Sequence, residues 1–431
     1  MVPHFLTSLS GPLHEVERVL LDATSRIERW FRLEWQEHTP PFYCSVDLRN
    51  AGFKLAPVDT NLYPGGFNNL SAEAMPLAVQ AAMAAVEKYC PEARNLLLIP
   101  ENHTRNTFYL QNVRRIQAML AQTGMTVRLG SLNPEVTEPL RLELPDGQSM
   151  RVEPLVRTGS RLGLEGFEPC AILLNNDLSA GIPEVLRDLK DQVLLPPLHA
   201  GWAVRRKSNH FAAYNDVARR FAKLVDLDPW LLNPLFATCG KVDFQAREGE
   251  ECLAENVEAT LRQIRSKYRE YRIEATPFVI VKADAGTYGM GIMSVRDAAE
   301  VRNLNRRQRN KMAVVKEGLE VSEVIIQEGV PTIESVDGGT AEPVVYMVDK
   351  YVVGGFYRVH PERGIDQNLN APGSRFVPLP FAANAQFPPA GTDSPEGSPN
   401  RFYPYGVVAR LALLAAAVEL ERTDPDPSRF G

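Results

Sequence analysis

A chain of 431 residues with 44% apolar and 23% charged residues is too long for one ordinary core and is composed like a globular protein of roughly two or three packed units. Its net charge of −6, with no Lys/Arg-dense face or basic tail, argues against nucleic acid as a partner, although local basic groups can still hold an anionic substrate. Cys44, Cys90, Cys170, Cys239 and Cys252 form no C-x-x-C pair and read as reduced thiols. The start lacks a signal-peptide pattern, and the apolar run Val407 to Val418 is too short for a bilayer and carries Arg410. A cytoplasmic protein with no membrane partner is therefore expected.

Residues 12–37 read as one amphipathic helix carrying Val16, Val19, Leu20, Ile27, Trp30 and Phe31. Residues 43–62 hold strand-like runs. Ser71 is placed to cap a helix reaching about Tyr89, with Glu73 in the first turn, where the helix dipole favours an anion. Leu96 to Ile99 is a short apolar strand, 107–122 a helix, and Thr126 to Leu129 a returning strand. Ala171 to Leu174 repeats the pattern, with a helix expected over 183–190. This strand–helix–strand alternation predicts a parallel α/β layer. The pattern changes near residue 200: helices follow over 209–225 and 253–271, then strands at Phe278 to Lys282, Val324 to Glu328, Val344 to Val348 and Tyr351 to Val359. A Pro/Gly/Ser-rich stretch over 382–400 reads as a mobile loop before a last helix at 406–422. The expected division is an N-terminal α/β unit over 1–200, a second unit over 201–381, and the loop with the final helix over 382–431.

Four motifs carry chemistry. In Phe278-Val-Ile-Val-Lys-Ala-Asp-Ala-Gly-Thr-Tyr-Gly-Met-Gly-Ile292 an apolar strand delivers Lys282 to a loop with Gly286, Gly289 and Gly291. Glycines let backbone N–H groups turn toward phosphate oxygens, and the lysine adds a point charge. The pattern is neither a Walker A loop nor G-x-G-x-x-G, and a plain hairpin is the bland alternative. Val324-Ile-Ile-Gln327-Glu328-Gly is an apolar strand with a polar end, suited to a nucleotide base or simply a strand terminus. Arg358 closes the apolar strand Tyr351 to Val359, before Asn368-Leu-Asn370; burial of an arginine calls for an anionic ligand or a salt bridge. In Val58-Asp59-Thr-Asn61 strand alternation puts two oxygen side chains on one face. They are suited to Mg²⁺, with an Asx turn as the alternative. The seven histidines are scattered and no H-E-x-x-H occurs, which argues against a zinc hydrolase.

Together these motifs resemble the ATP-grasp superfamily, whose members phosphorylate a carboxylate and let an amine attack the acyl phosphate. The acidic-x-Asn segment comes first here, an order that resembles the eukaryotic-type glutathione synthetases. By that likeness Arg105 and Asn106 in Arg105-Asn-Thr-Phe108, Arg157, Arg358, Asn368 and Asn370 would contact substrate. Lys207 in Trp202-Ala-Val-Arg-Arg-Lys207 would join Lys282 on the nucleotide. The metal-binding Glu that follows the strand lysine in that family is missing, and Asp284 is the nearby acid. The wording of Pro57 to Leu70, His199 to His210 and Lys282 to Gly291 resembles a proteobacterial family of glutamate–cysteine ligases over about residues 40–380. The resemblance implies an ATP-grasp (α+β) second unit and ATP and Mg²⁺ as cofactors, the latter on Asp59, Asn61 and Asp284. It also implies L-glutamate and L-cysteine as substrates. Lys207, Lys282, Gly286, Gly289, Gly291, Gln327 and Glu328 would hold the nucleotide, with Lys282 and Arg358 as the catalytic cations. Glutathione synthetase and a silent nucleotide-binding regulator are the competing readings, and a homo-oligomer stays open.

Overall fold

The computed structural model describes residues 12–92, 94–102, 105–286, 291–313, 321–379 and 402–426. The fold is mixed α/β, with three main sheets. The expected parallel layer is present. Asn95–Pro100 lies between Thr126–Ser131 and Ala171–Asn175, parallel to both, and Val193–Leu195 and the hairpin Leu140–Glu143/Ser149–Pro154 extend the edges. Its strands read as continuous apolar runs because both faces are covered, as in Leu96 to Ile99, all 1% exposed or less.

An antiparallel sheet joins the two ends of the chain. Tyr43–Asn50 pairs with Leu55–Asn61 on one side and with Gly339–Val348 on the other, and Tyr351–His360 and Arg375–Pro378 follow. Residues near 59 and near 358 therefore share one surface although the whole parallel layer separates them in sequence. A third, four-stranded antiparallel sheet runs Phe236–Gly240, Glu323–Glu328, Val279–Ala283, Ile292–Val295. Helices Lys207–Val225 and Glu250–Glu270 belong to the same half of the chain, and the C-terminal helix Tyr403–Thr423 packs on Lys207–Val225 and on the strands at 43–61.

Several expectations need correction. Residues 12–37 form two helices, Pro12–Asp22 and Thr24–Glu37, because the Thr24 hydroxyl bonds back to the Leu21 carbonyl at 2.6 Å at the junction. Ser71 makes no capping bond. A single 3-10 turn, Ala72–Ala74, precedes helix Met75–Tyr89, whose proline sits in the first turn, where its missing N–H costs nothing. The helix expected over 183–190 is only the 3-10 turn Glu184–Leu186; Arg187 is already extended, and Asp188 follows at φ +53°. Cys90 and Cys170 are joined as a disulfide across 80 residues of sequence, where free thiols were expected; Cys44, Cys239 and Cys252 are free. The last helix is longer than expected. Its 21 residues are long and apolar enough to cross a membrane, yet 94% of its apolar window is buried inside the protein. The stretch 382–400, expected as a loop, lies outside the described residues.

Candidate active site

The antiparallel sheet and the third sheet meet at a cavity, open to solvent, whose empty space with its mouth included is about 850 Å³. One wall is a face of the antiparallel sheet. Strand alternation puts Asp47 and Arg49 on the same side, and the ladders set Asp47 opposite Asp59 and Glu342 opposite Arg358. Arg358 Nη1 donates to Asp47 Oδ2 and to Glu342 Oε1, each at 2.7 Å, and Arg49 Nε donates to Glu342 Oε2 at 2.8 Å. Burial would lift Glu342, but Arg49 and Arg358 hold its carboxyl below the usual range. Burial wins at Asp47, which is raised despite Arg358. Burial opposes the Arg358 guanidinium, yet Asp47 and Glu342 raise it further. The anion that buried Arg358 called for is thus supplied by the protein. Its Nε alone has no partner among the described residues.

The facing wall is built differently. Strand Val279–Ala283 delivers Lys282 and helix Lys207–Val225 opens on Lys207, as the sequence motifs imply. Lys207 Nζ donates to Asp59 Oδ1 at 3.0 Å and lies 4.1 Å from the centre of the Trp202 ring. Lys282 Nζ donates to the Val58 carbonyl at 2.7 Å, bridging 224 residues. Burial would raise Asp59, but Lys207 and Lys282 hold its carboxyl well below the usual range. Burial pushes Lys282 down to about 8, with Asp59 pulling the other way. Two ammonium groups thus lie against one carboxylate, with Asp47 and Asp284 acting on Lys282 less strongly, an arrangement with room for a further anion.

Phe278, Ile280, Ile292 and Val330 give the cavity an apolar end, closed by Gln327 and Glu328. Gln327 Nε2 is buried and has no partner among the described residues. The Glu328 carboxylate is engaged elsewhere: it accepts from Lys54 Nζ at 2.6 Å, Trp230 Nε1 at 3.1 Å and the Leu235 N–H at 2.9 Å. Burial pushes Lys54 down to about 8 against the pull of Glu328. Gly286 (φ +93°) and Gly291 (φ +61°) adopt the left-handed backbone that favours glycine, and Gly286 lines the cavity. Gly289 lies outside the described residues.

The cavity therefore gathers Asp59, Lys207, Lys282, Gly286, Gln327, Glu328, Arg358, Asn368 and Asn370 of the expected set. Others lie off it. Asn61 ends its strand in an Asx turn, accepting the Tyr63 N–H at 2.9 Å. Asp284 receives the Ser208 N–H at 2.7 Å and the Ser208 hydroxyl at 2.6 Å, anchoring the start of the Lys207 helix. Arg157 Nη1 donates to the carbonyls of Glu184, Val185 and Arg187. Arg105 is exposed, and Asn106 caps helix Thr107–Ala121 by accepting the Tyr109 N–H. Phe108 stacks on Phe376, which faces Arg358 in the ladder, so this segment sits beside the Arg358 strand without lining the cavity. Among the described residues no three His, Cys, Asp or Glu side chains form a metal-ligating group. Asp47, Arg49 and Glu342 were missed. The alternation of Ser45, Asp47 and Arg49 in an otherwise apolar strand was the available signal.

A family model for glutamate-cysteine ligase matches residues 17–420. A solved structure described as a gamma-glutamylcysteine synthetase from Methylobacillus flagellatus KT is 64% identical, with 98% of this chain and 100% of that chain covered and a TM-score of 0.90. A glutathione synthetase-like effector from Globodera pallida (9% identity, 80% of this chain and 79% of that chain, TM-score 0.37) and D-cycloserine synthetase DcsG (14%, 76% and 82%, TM-score 0.37) are far more distant. No curated protein matches. On the family match and the 64% identity, the chain belongs to the glutamate-cysteine ligase family.

Proposed function

We propose that the cavity performs ATP-dependent ligation of the L-glutamate side-chain carboxylate to the L-cysteine amine, the first step of glutathione biosynthesis. The observation that carries this reading is the pair Lys207 and Lys282 sharing the single carboxylate of Asp59, beside an apolar slot with an unpartnered Gln327 donor. Surplus positive charge next to a base-sized apolar end suits a nucleoside triphosphate. Phosphoryl transfer needs positioning and charge neutralisation, not a nucleophilic side chain.

In this reading Lys207 and Lys282 hold the γ-phosphoryl group in line with the glutamate carboxylate. Arg358, fixed by Asp47 and Glu342, orients the amino-acid end. The carboxylate takes the phosphoryl group as ADP leaves, and the cysteine amine then attacks the acyl phosphate, forming the amide and losing a proton as phosphate leaves. Mg²⁺ fits this donor set through Asp59, which is 40% exposed at its side chain, because that ion commonly takes one or two carboxylates and completes its shell with phosphate oxygens and water. Bound there it would supply neutralisation of the phosphate charge. Asn61 and Asp284 are committed to a turn and a helix start, so Asp59 is the proposed protein ligand. The test is phosphate release from ATP with Glu plus Cys, compared with γ-Glu-Cys plus Gly. Release that requires both Glu and Cys is expected. Release only with γ-Glu-Cys plus Gly would make the chain a glutathione synthetase. ATP binding with no release would make it a regulator.

A further inference from the structure

The C-terminal helix Tyr403–Thr423 contributes no residue to the cavity wall, and from Val407 to Val418 its buried face is apolar. One turn from its end it buries Glu419, 2% exposed. A carboxylate there is costly unless it is fully partnered, and an apolar side chain of similar size would serve the packing as well. Its partners are specific. Arg205 Nε donates to Oε1 and Arg205 Nη2 to Oε2, each at 2.8 Å, a bidentate fork, and His210 Nδ1 lies 3.0 Å from Oε2. A carboxylate can only accept, so His210 Nδ1 donates to it, and burial lowers the ring's hold on a second proton. The remaining arm of the fork, Arg205 Nη1, donates to the Thr60 carbonyl at 2.8 Å. Thr60 follows Asp59, and Lys207 lies two residues beyond Arg205. The Trp202 ring has Arg205 4.9 Å and Lys207 4.1 Å from its centre.

One guanidinium therefore ties three segments: the last helix, the strand that carries Asp59, and the turn that launches Lys207. We infer that Glu419, acting through Arg205, is a positioning residue that sets the Asp59–Lys207 spacing on which phosphoryl transfer depends. The inference rests on the ligase reading above. A planar fork fixed at one end by a carboxylate can hold a carbonyl in one place, whereas a lysine at the same site supplies the charge without that geometry. Arg205, His210 and Glu419 do not line the cavity, so loss of the network acts on turnover through misplacement and not through a missing contact.

Three variants test this, each read for kcat, KM for ATP, affinity for a non-hydrolysable ATP analogue, and melting temperature. Arg205→Lys keeps the charge. Glu419→Gln keeps the shape but gives up one acceptor of the fork, and should turn over more slowly with a lower melting temperature. The double change Arg205→Met with Glu419→Leu replaces the ion pair by apolar groups. We expect the double variant to melt close to wild type yet to turn over at least ~10-fold more slowly, with analogue affinity within about threefold. Arg205→Lys should show the same split. A folded double variant with wild-type kcat would reduce the network to a packing device and overturn the inference. If the double variant does not fold, wild-type kcat in Arg205→Lys, assayed well below its melting temperature, overturns it equally. Wild-type protein run alongside separates the two claims, since absence of Glu- and Cys-dependent phosphate release there defeats the ligase reading itself.

Discussion

The two walls of the cavity solve the problem of buried charge in opposite ways. On the sheet face Arg49, Glu342, Arg358 and Asp47 alternate in sign, two cations against two anions, hydrogen-bonded in series. Opposite them Lys207 and Lys282 face the single carboxylate of Asp59. A matched network is rigid and has little need of a ligand, while an unmatched one is completed by an anion. Arginine serves the first wall because its fork can hold two carboxylates at once. Lysine suits the role proposed for the second, because a point charge can follow a moving phosphoryl group. In the proposed reading the difference gives orientation to one wall and phosphate chemistry to the other.

The largest expected effect breaks the matched wall. Glu342→Ala leaves Arg49 and Arg358 buried without their shared partner, and should lower unfolding free energy by ~3–5 kcal/mol in chemical denaturation, with ligation lost in proportion to the unfolded fraction. Next comes the unmatched wall. Lys282→Ala and Lys207→Ala should each cut turnover by at least ~10²-fold, since each removes charge stabilisation from the transition state. Their melting temperatures should stay near wild type or rise, because each change relieves a cationic surplus. Normal rates in both lysine variants would end the assignment of phosphate chemistry to this wall.

Asp59→Asn sharpens the contrast further. It removes the one carboxylate between the lysines while keeping the strand's shape, so turnover should fall ~10-fold or more and the Mg²⁺ concentration for half-maximal rate should rise. A titration of rate against Mg²⁺ reads both. An unchanged Mg²⁺ requirement would take the ion away from Asp59.

Much of this was legible where a single segment carries its own meaning. The run Phe278 to Lys282 announces a buried strand ending in a cation, and Gly286 and Gly291 do adopt left-handed backbone after it. The parallel layer was legible because apolar runs and helical periods alternate. What stayed hidden depends on distant partners. Arg358 was visible as a charge in an apolar strand, but Asp47 lies 311 residues away and nothing local announces it. Asp284 looked like a metal ligand from its place beside Lys282, and in space it anchors Ser208, 76 residues earlier. Glu328 was read toward the base, while its carboxylate turns to Lys54, 274 residues away. The Cys90–Cys170 bond is hidden in the same way. Arg157 was read as a substrate contact from its place in a strand, and its Nη1 donates to the carbonyls of Glu184, Val185 and Arg187, in and just after a 3-10 turn that periodicity had read as a full helix.

The smallest expected effect is the most discriminating. Burial pushes Lys282 down to about 8 from an ordinary value of 10.5. As pH rises through about 8 in the free enzyme, the unmatched wall loses a positive charge, so kcat/KM for ATP should fall along a single-proton limb. Stability should move the other way. The unfolded chain holds this proton up to the ordinary lysine value and therefore binds more protons than the folded one across that window. The stability cost of a buried ammonium is thus full below pH about 8 and is relieved as pH rises toward 10.5. Lys54, also near 8, adds to that stability trend, but its ammonium is bonded to Glu328 and does not line the cavity. Lys282→Arg separates the two. An arginine keeps its charge throughout, so the activity limb should move out of the window while the part of the stability trend owed to Lys54 remains. Activity and stability falling together above pH 8 in the wild type would mean unfolding and not deprotonation, and would remove Lys282 as the origin of the limb.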